Sequence, residues 1–160
     1  MTELYCNPYD FNSVGFYFNS MEEFNEKIRQ APFEEYSIDF IDGDDAALFE
    51  ALSINAANLH RWFEEVELLD EHEKVALYYT VGYSGYSFED RDIETLIQDT
   101  DIYETTLRGL AEEFAEEGIF PAECPESVLI YLDYDKLARD LSVDYSEFRY
   151  NGKTYCGRCC

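Results

Sequence analysis

Apolar residues recur along this chain in two rhythms, every second residue in short runs and every third or fourth in longer ones. Residues 40–79 carry the clearest signal. The stretch starts as a strand end, crosses an acidic turn at Asp42, Gly43, Asp44 and Asp45, and then takes on helical spacing. Leu59, Trp62, Phe63 and Val66 stand at i, i+3, i+4 and i+7, the apolar face of a helix predicted over 55–66 with Asn55 as its cap. Glu64, Glu65, Glu67, Asp70, Glu71 and Glu73 follow within ten positions, relieved by Lys74. A face built to pack and a face dense in carboxylates share the same short elements.

Upstream, residues 4–7 and 14–18 read as two short strands joined by a turn containing Pro8, Asn12 and Ser13. Ser20, with Glu23 three positions on, has the capping-box form, and opens a helix to about Gln30 with Met21, Phe24 and Ile28 inward. Pro32 stops that helix. Residues 36–41 alternate as a third strand, and 46–52 form a short helix. Beyond the central run come a helix over about 71–81, a Gly/Tyr/Ser turn at 82–86, and a helix around Ile93, Leu96 and Ile97.

The last third opens with a strand at 102–104. Thr106 then caps a helix with Leu107, Leu110, Ala111, Phe114 and Ala115 on one face and Glu112, Glu113, Glu116 and Glu117 opposite, ended by Gly118. Pro125 starts a short helix, and Tyr134, Leu137, Ala138 and Leu141 mark another. Asn151-Gly152 joins 145–150 to 153–156 as a hairpin. The predicted class is α+β with short antiparallel sheets, in three small domains: residues 1–53 (α+β), 54–100 (helical) and 101–160 (α+β with the terminal hairpin).

Composition narrows this picture. The chain is 46% hydrophobic, with 14 Tyr, 12 Phe and 1 Trp, which argues for a folded protein despite a formal charge of −25. The charge is spread throughout: 12 acids and 2 bases in residues 1–53, 11 and 3 in 54–100, 13 and 6 in 101–160. Such self-repulsion opposes compaction, so a protein that keeps it is expected to use it. A merely soluble acidic protein is the plainer alternative. No apolar run approaches 18 residues and no leader pattern opens the chain, so a cytoplasmic protein without a membrane span is expected.

Catalytic patterns are thin. The two histidines, His60 and His72, sit beside apolar helical positions and read as surface or partly packed side chains. Gly82-Tyr83-Ser84-Gly85 misses the nucleophile-elbow spacing, and Asp42–Asp45 lacks the alternating ligands of a calcium loop. Cys156, Cys159 and Cys160 resemble half of a zinc site that Cys6 and Cys124 would have to complete; free thiols are the expectation. No catalytic residue, metal or cofactor is predicted, and the charge disfavours direct binding to nucleic acid.

What remains is negative charge at a regular pitch. Helical carboxylates at i, i+3 and i+4 stand about 5–6 Å apart, while duplex DNA carries one charge per roughly 1.7 Å of axis. Rows on several helices can therefore approximate a phosphate surface. The candidate phosphate-mimicking acids are Glu22, Glu23, Glu26, Asp42, Asp44, Asp45, Glu64, Glu65, Glu67, Asp70, Glu71, Glu73, Glu112, Glu113, Glu116 and Glu117.

The run IDGDDAALFEALSINAANLHRWFEEVELLDEHEKVALYYTV resembles the ArdA family of antirestriction proteins, as do FYFNSMEEF before it and PESVLIYLDYDKLARDL after it. The likeness extends over nearly the whole chain, in order. It implies a non-enzymatic DNA mimic from a mobile genetic element, an elongated homodimer of three-domain chains that occupies the DNA-binding groove of type I restriction-modification enzymes. The ending CGRCC is not part of the resemblance. The alternatives are an acidic inhibitor of another DNA-binding defence complex, such as a CRISPR effector, or of a repressor; an enzyme ranks third.

Overall fold

Two three-stranded antiparallel sheets, each backed by helices, give a mixed α+β architecture in a computed structural model that describes residues 1–118 and 125–160. The chain divides into two compact units, Met1–Ile97 and Gln98–Cys160.

The first unit is built on a sheet of order β2-β1-β3, with β1 at Glu3–Pro8, β2 at Phe16–Phe18 and β3 at Tyr36–Asp42. Its register sorts the faces. Leu4 lies opposite Phe18 and Phe40, and Cys6 opposite Phe16 and Ile38, all on the packed side. Tyr5 lies between Tyr17 and Asp39 on the other. Val14, expected in the second strand, is instead exposed in the turn before it. Helix α1 (Met21–Gln30) buries Phe24 against Phe18, with ring centroids 4.9 Å apart. The Ser20 hydroxyl accepts from the Glu23 N–H, as the capping pattern predicts, but the Glu23 carboxylate reaches past it to the Asn19 N–H.

Helix α2 (Ala46–Ala51) buries Leu48 and Phe49. The next helix, α3, spans Leu59–Glu64 rather than 55–66. Local side-chain bonding explains the late start. The Asn55 side chain accepts from the Ala57 N–H at 2.9 Å, and the Asn55 N–H donates to the buried Asn58 side chain at 2.7 Å. With the Asn58 N–H returning to the Asn55 carbonyl, an Asx-type turn occupies residues 55–58 ahead of the helix. The predicted face then packs as expected, with Leu59, Trp62 and Val66 fully buried. Phe40–Trp62 and Phe18–Phe63 ring contacts join residues 1–53 to residues 54–97 in one core.

Helix α4 (Glu71–Tyr78) carries a complete capping box between Asp70 and Glu73. It passes into one wide π-type turn at Tyr79–Tyr83, where a plain helix to 81 was expected. Helix α5 is Ile93–Ile97. The Arg61 guanidinium lies over the Phe88 ring at 4.0 Å and donates to the carbonyls of Phe88 and Arg91, tying the intervening loop to α3.

The second unit has sheet order β4-β6-β5, with β4 at Thr100–Tyr103, β5 at Ser146–Tyr150 and β6 at Lys153–Cys159. The turn between β5 and β6 has φ 47° at Asn151 and 79° at Gly152, the left-handed pair that a two-residue hairpin demands. Helix α6 (Leu107–Glu117) is capped by the Thr106 hydroxyl and ends at Gly118, φ 110°. It packs on α8 (Tyr134–Leu141), and α7 is the single turn Glu126–Leu129. Leu110, Tyr145 and Cys156 centre this core, with Tyr103, Leu107, Phe114 and Leu141 around them.

Candidate interaction surface

A helix with one packed face must turn its remaining side chains to water, and here those are acids. On α6, Leu110, Ala111 and Ala115 are buried while Glu112, Glu113, Glu116 and Glu117 are exposed. Such like-charge neighbours each cost a few tenths of a kcal/mol, so the row rests on the packing of its opposite face. Around α3 and α4, Glu64, Asp70 and Glu71 are exposed; Glu22 and Glu26 are exposed on α1, and Asp42 and Asp44 at the end of β3.

The other candidate acids are engaged within the fold. Glu23 is half-buried and bonds Lys27 at 2.6 Å. That ammonium, with the Asn19 N–H, holds the Glu23 carboxyl below the usual carboxylate range. Asp45 pairs with Lys74 at 2.8 Å, a contact in which both side chains are largely shielded. Glu65 takes the Arg61 guanidinium at 2.9 Å, Glu73 accepts from the Asp70 N–H at 2.9 Å, and Glu67 accepts from the Thr2 N–H at 3.2 Å. Exposed Glu112 pairs with Arg108, which also reaches Asp135 at 2.9 Å.

Asp44, Asp45, Glu67 and Lys74 converge with Met1 and Thr2 around a polar pocket of about 220 Å³. This grouping joins residues far apart in sequence, and sequence reading missed the parts played by Thr2 and Lys74. His60 and His72 are both exposed. In the extended β6, Cys156 and Cys159 are an odd number of residues apart and so face opposite sides. Cys156 is fully buried and donates to the Thr105 carbonyl, whereas Cys160 is exposed. Cys124 lies outside the described residues. Among the described residues, no group of three or more His, Cys, Asp or Glu is placed to hold a metal ion.

Among the described residues, Lys27, Arg61, Lys74, Arg108, Lys153 and Arg158, of the 11 Lys and Arg in the sequence, form ion pairs within the chain. Among the described residues, no helix is long and apolar enough to cross a membrane. The chain matches no protein-family profile, and no curated protein sequence matches it.

Proposed function

We propose that this protein is a DNA mimic of the antirestriction type, a non-enzymatic inhibitor that occupies the DNA-binding groove of a type I restriction-modification enzyme. The observation that carries this reading is the division of labour among charges. Six cations form ion pairs with acids of the same chain, while acids such as Glu64, Glu113, Glu116 and Glu117 stay exposed on packed helices. A field of one sign held on packed helices attracts the Lys and Arg of a groove shaped for phosphates, without the cost of ordering a flexible tail. The sequence likeness to ArdA proteins supports this class of target, and with it a cytoplasmic location. It also supplies the homodimer, for which the exposed Val128, Ile130 and Tyr131 are the proposed contact.

Purified protein added to a type I restriction-modification enzyme should inhibit cleavage, and duplex DNA should compete with it for the enzyme. Glu64→Gln, Glu71→Gln, Glu113→Gln, Glu116→Gln and Glu117→Gln, introduced in steps, should weaken inhibition gradually. Simultaneous binding of DNA and protein would refute the reading. So would loss of all activity on one carboxylate change with its neighbours silent, which points to a catalytic acid. The same salt-sensitive inhibition of another DNA-binding defence complex or a repressor, with none here, would keep the mimicry and move the target.

A further inference from the structure

The turn between β1 and β2 carries an apolar group for which the fold has no use. Phe11 is fully exposed, Val14 is 83% exposed and Tyr9 is 63% exposed. The loop displaying them is nevertheless held in place. The Asp10 carboxylate accepts from the Asn12 N–H at 3.0 Å and the Ser13 hydroxyl at 2.9 Å, and the Ser13 N–H returns to the Asp10 carbonyl at 3.0 Å. Tyr9 is anchored through its N–H to the Glu35 carbonyl at 3.1 Å. At the far end, Gly15 lies so close under Tyr5 that a Cβ there would stand 1.9 Å from the Cys6 carbonyl oxygen and 2.8 Å from the Tyr5 ring. Only glycine lets the chain close at this point.

The geometry points to this loop as an apolar docking anchor for a protein partner whose surface offers an apolar pocket rimmed by Lys and Arg. Charge chooses the occupant. Exposed Asp10 and Glu35 flank the group, with Glu35 brought beside Tyr9 by the pairing of Pro8 with Tyr36. A second copy would bring the same carboxylates against themselves, and nucleic acid or an anionic lipid surface would be repelled likewise. A cationic protein surface complements the rim.

The inference rests on the reading above that the partner is a basic, DNA-handling protein, and it adds what carboxylates alone lack. Acids at large bind any basic groove, through contacts that salt screens. An aromatic seated in a pocket contributes affinity that salt leaves in place and that discriminates among grooves. Because the loop is already ordered, little conformational freedom is lost on docking.

The test uses the full chain and a purified type I restriction-modification enzyme, with Kd measured over a range of NaCl concentrations. Phe11→Ser with Val14→Ser should raise Kd by at least about tenfold at every salt concentration, leaving the slope of log Kd against log salt unchanged. Glu64→Gln with Glu71→Gln should instead flatten that slope. Val143→Ser, equally exposed on the second unit, should change neither. If the wild-type chain binds and the Phe11/Val14 variant binds as well, the anchor is overturned while the mimicry stands. Equal weakening by Val143→Ser also overturns it. If the wild-type chain does not bind this enzyme, the choice of target is wrong and the anchor, which rests on it, is overturned too. Circular dichroism should be unchanged in every variant, since each altered side chain is exposed.

Discussion

Trp62 meets the ring of Phe49 edge-on, with centroids 5.0 Å apart and planes at 80°, and this contact joins α3 to α2 at the centre of the first unit. The indole is fully buried, and its Nε1–H has no hydrogen-bond partner among the described residues. Replacing Trp62 with Ala should cost about 3–5 kcal/mol. Trp62→Phe should cost less than about half as much, because it leaves a smaller void and removes a buried donor that is already unsatisfied. Denaturant titration followed by far-UV circular dichroism checks both. Equal losses would show that the core tolerates no change of shape here.

Asp70 separates structure from charge. Its side chain accepts from the Glu73 N–H at 2.8 Å, closing the capping box of α4. Asp70→Ala should cost about 1 kcal/mol of stability, while Asp70→Asn, an equally good cap, should cost almost nothing. Both remove one negative charge, so both should weaken target binding to the same small extent. A binding defect confined to Asp70→Ala would mean that helix order, not charge, is what the partner reads.

The buried thiols set an alkaline limit. Burial, with nearby Asp39, raises the Cys6 thiol from its ordinary 9.0 to about 12, and burial raises Cys156 to about 11. Unfolded, each loses its proton near pH 9; folded, each keeps it, so above pH 9 the unfolded state binds fewer protons. Stability from this source is complete below pH 9 and is lost as pH rises toward 11 and 12. Burial raises the phenols of Tyr36, Tyr78 and Tyr145 as well, and they act in the same direction. Thermal melts between pH 8 and 11 should show a falling midpoint, steeper than in the Cys6→Ala variant. Site-resolved alkylation at pH 8 should label exposed Cys160 well before Cys6 and Cys156.

The proposed dimer has a direct check. Light scattering at micromolar concentration should give twice 18.7 kDa. Ile130→Asp with Tyr131→Asp, both at exposed positions, should return the mass to 18.7 kDa without unfolding the chain. A single-chain mass for the unaltered protein would end the proposal.

Turn and cap chemistry was legible because it is local. Asn151-Gly152, Thr106 with Gly118, and Ser20 each act on a backbone a few residues away, and each holds the position its type predicts. The start of α3 was misread for an equally local reason: Asn55 can cap a helix or close an Asx turn, and spacing alone does not rank the two. The exposure of Val14 left no trace in periodicity, because an exposed valine beside Phe16 and Phe18 looks like a strand residue.

By itself the sequence determined the α+β class, the faces of α3 and α6, and the excess of acid in every segment, since period and composition act along the chain. Tertiary structure alone decided which carboxylates remain available. Asp45 meets Lys74 across 29 residues, and Glu67 meets the Thr2 N–H across 65. Whether an acid faces water or a buried partner depends on which elements the sheet and helices bring together. Pattern along a chain carries no distance between residues so far apart.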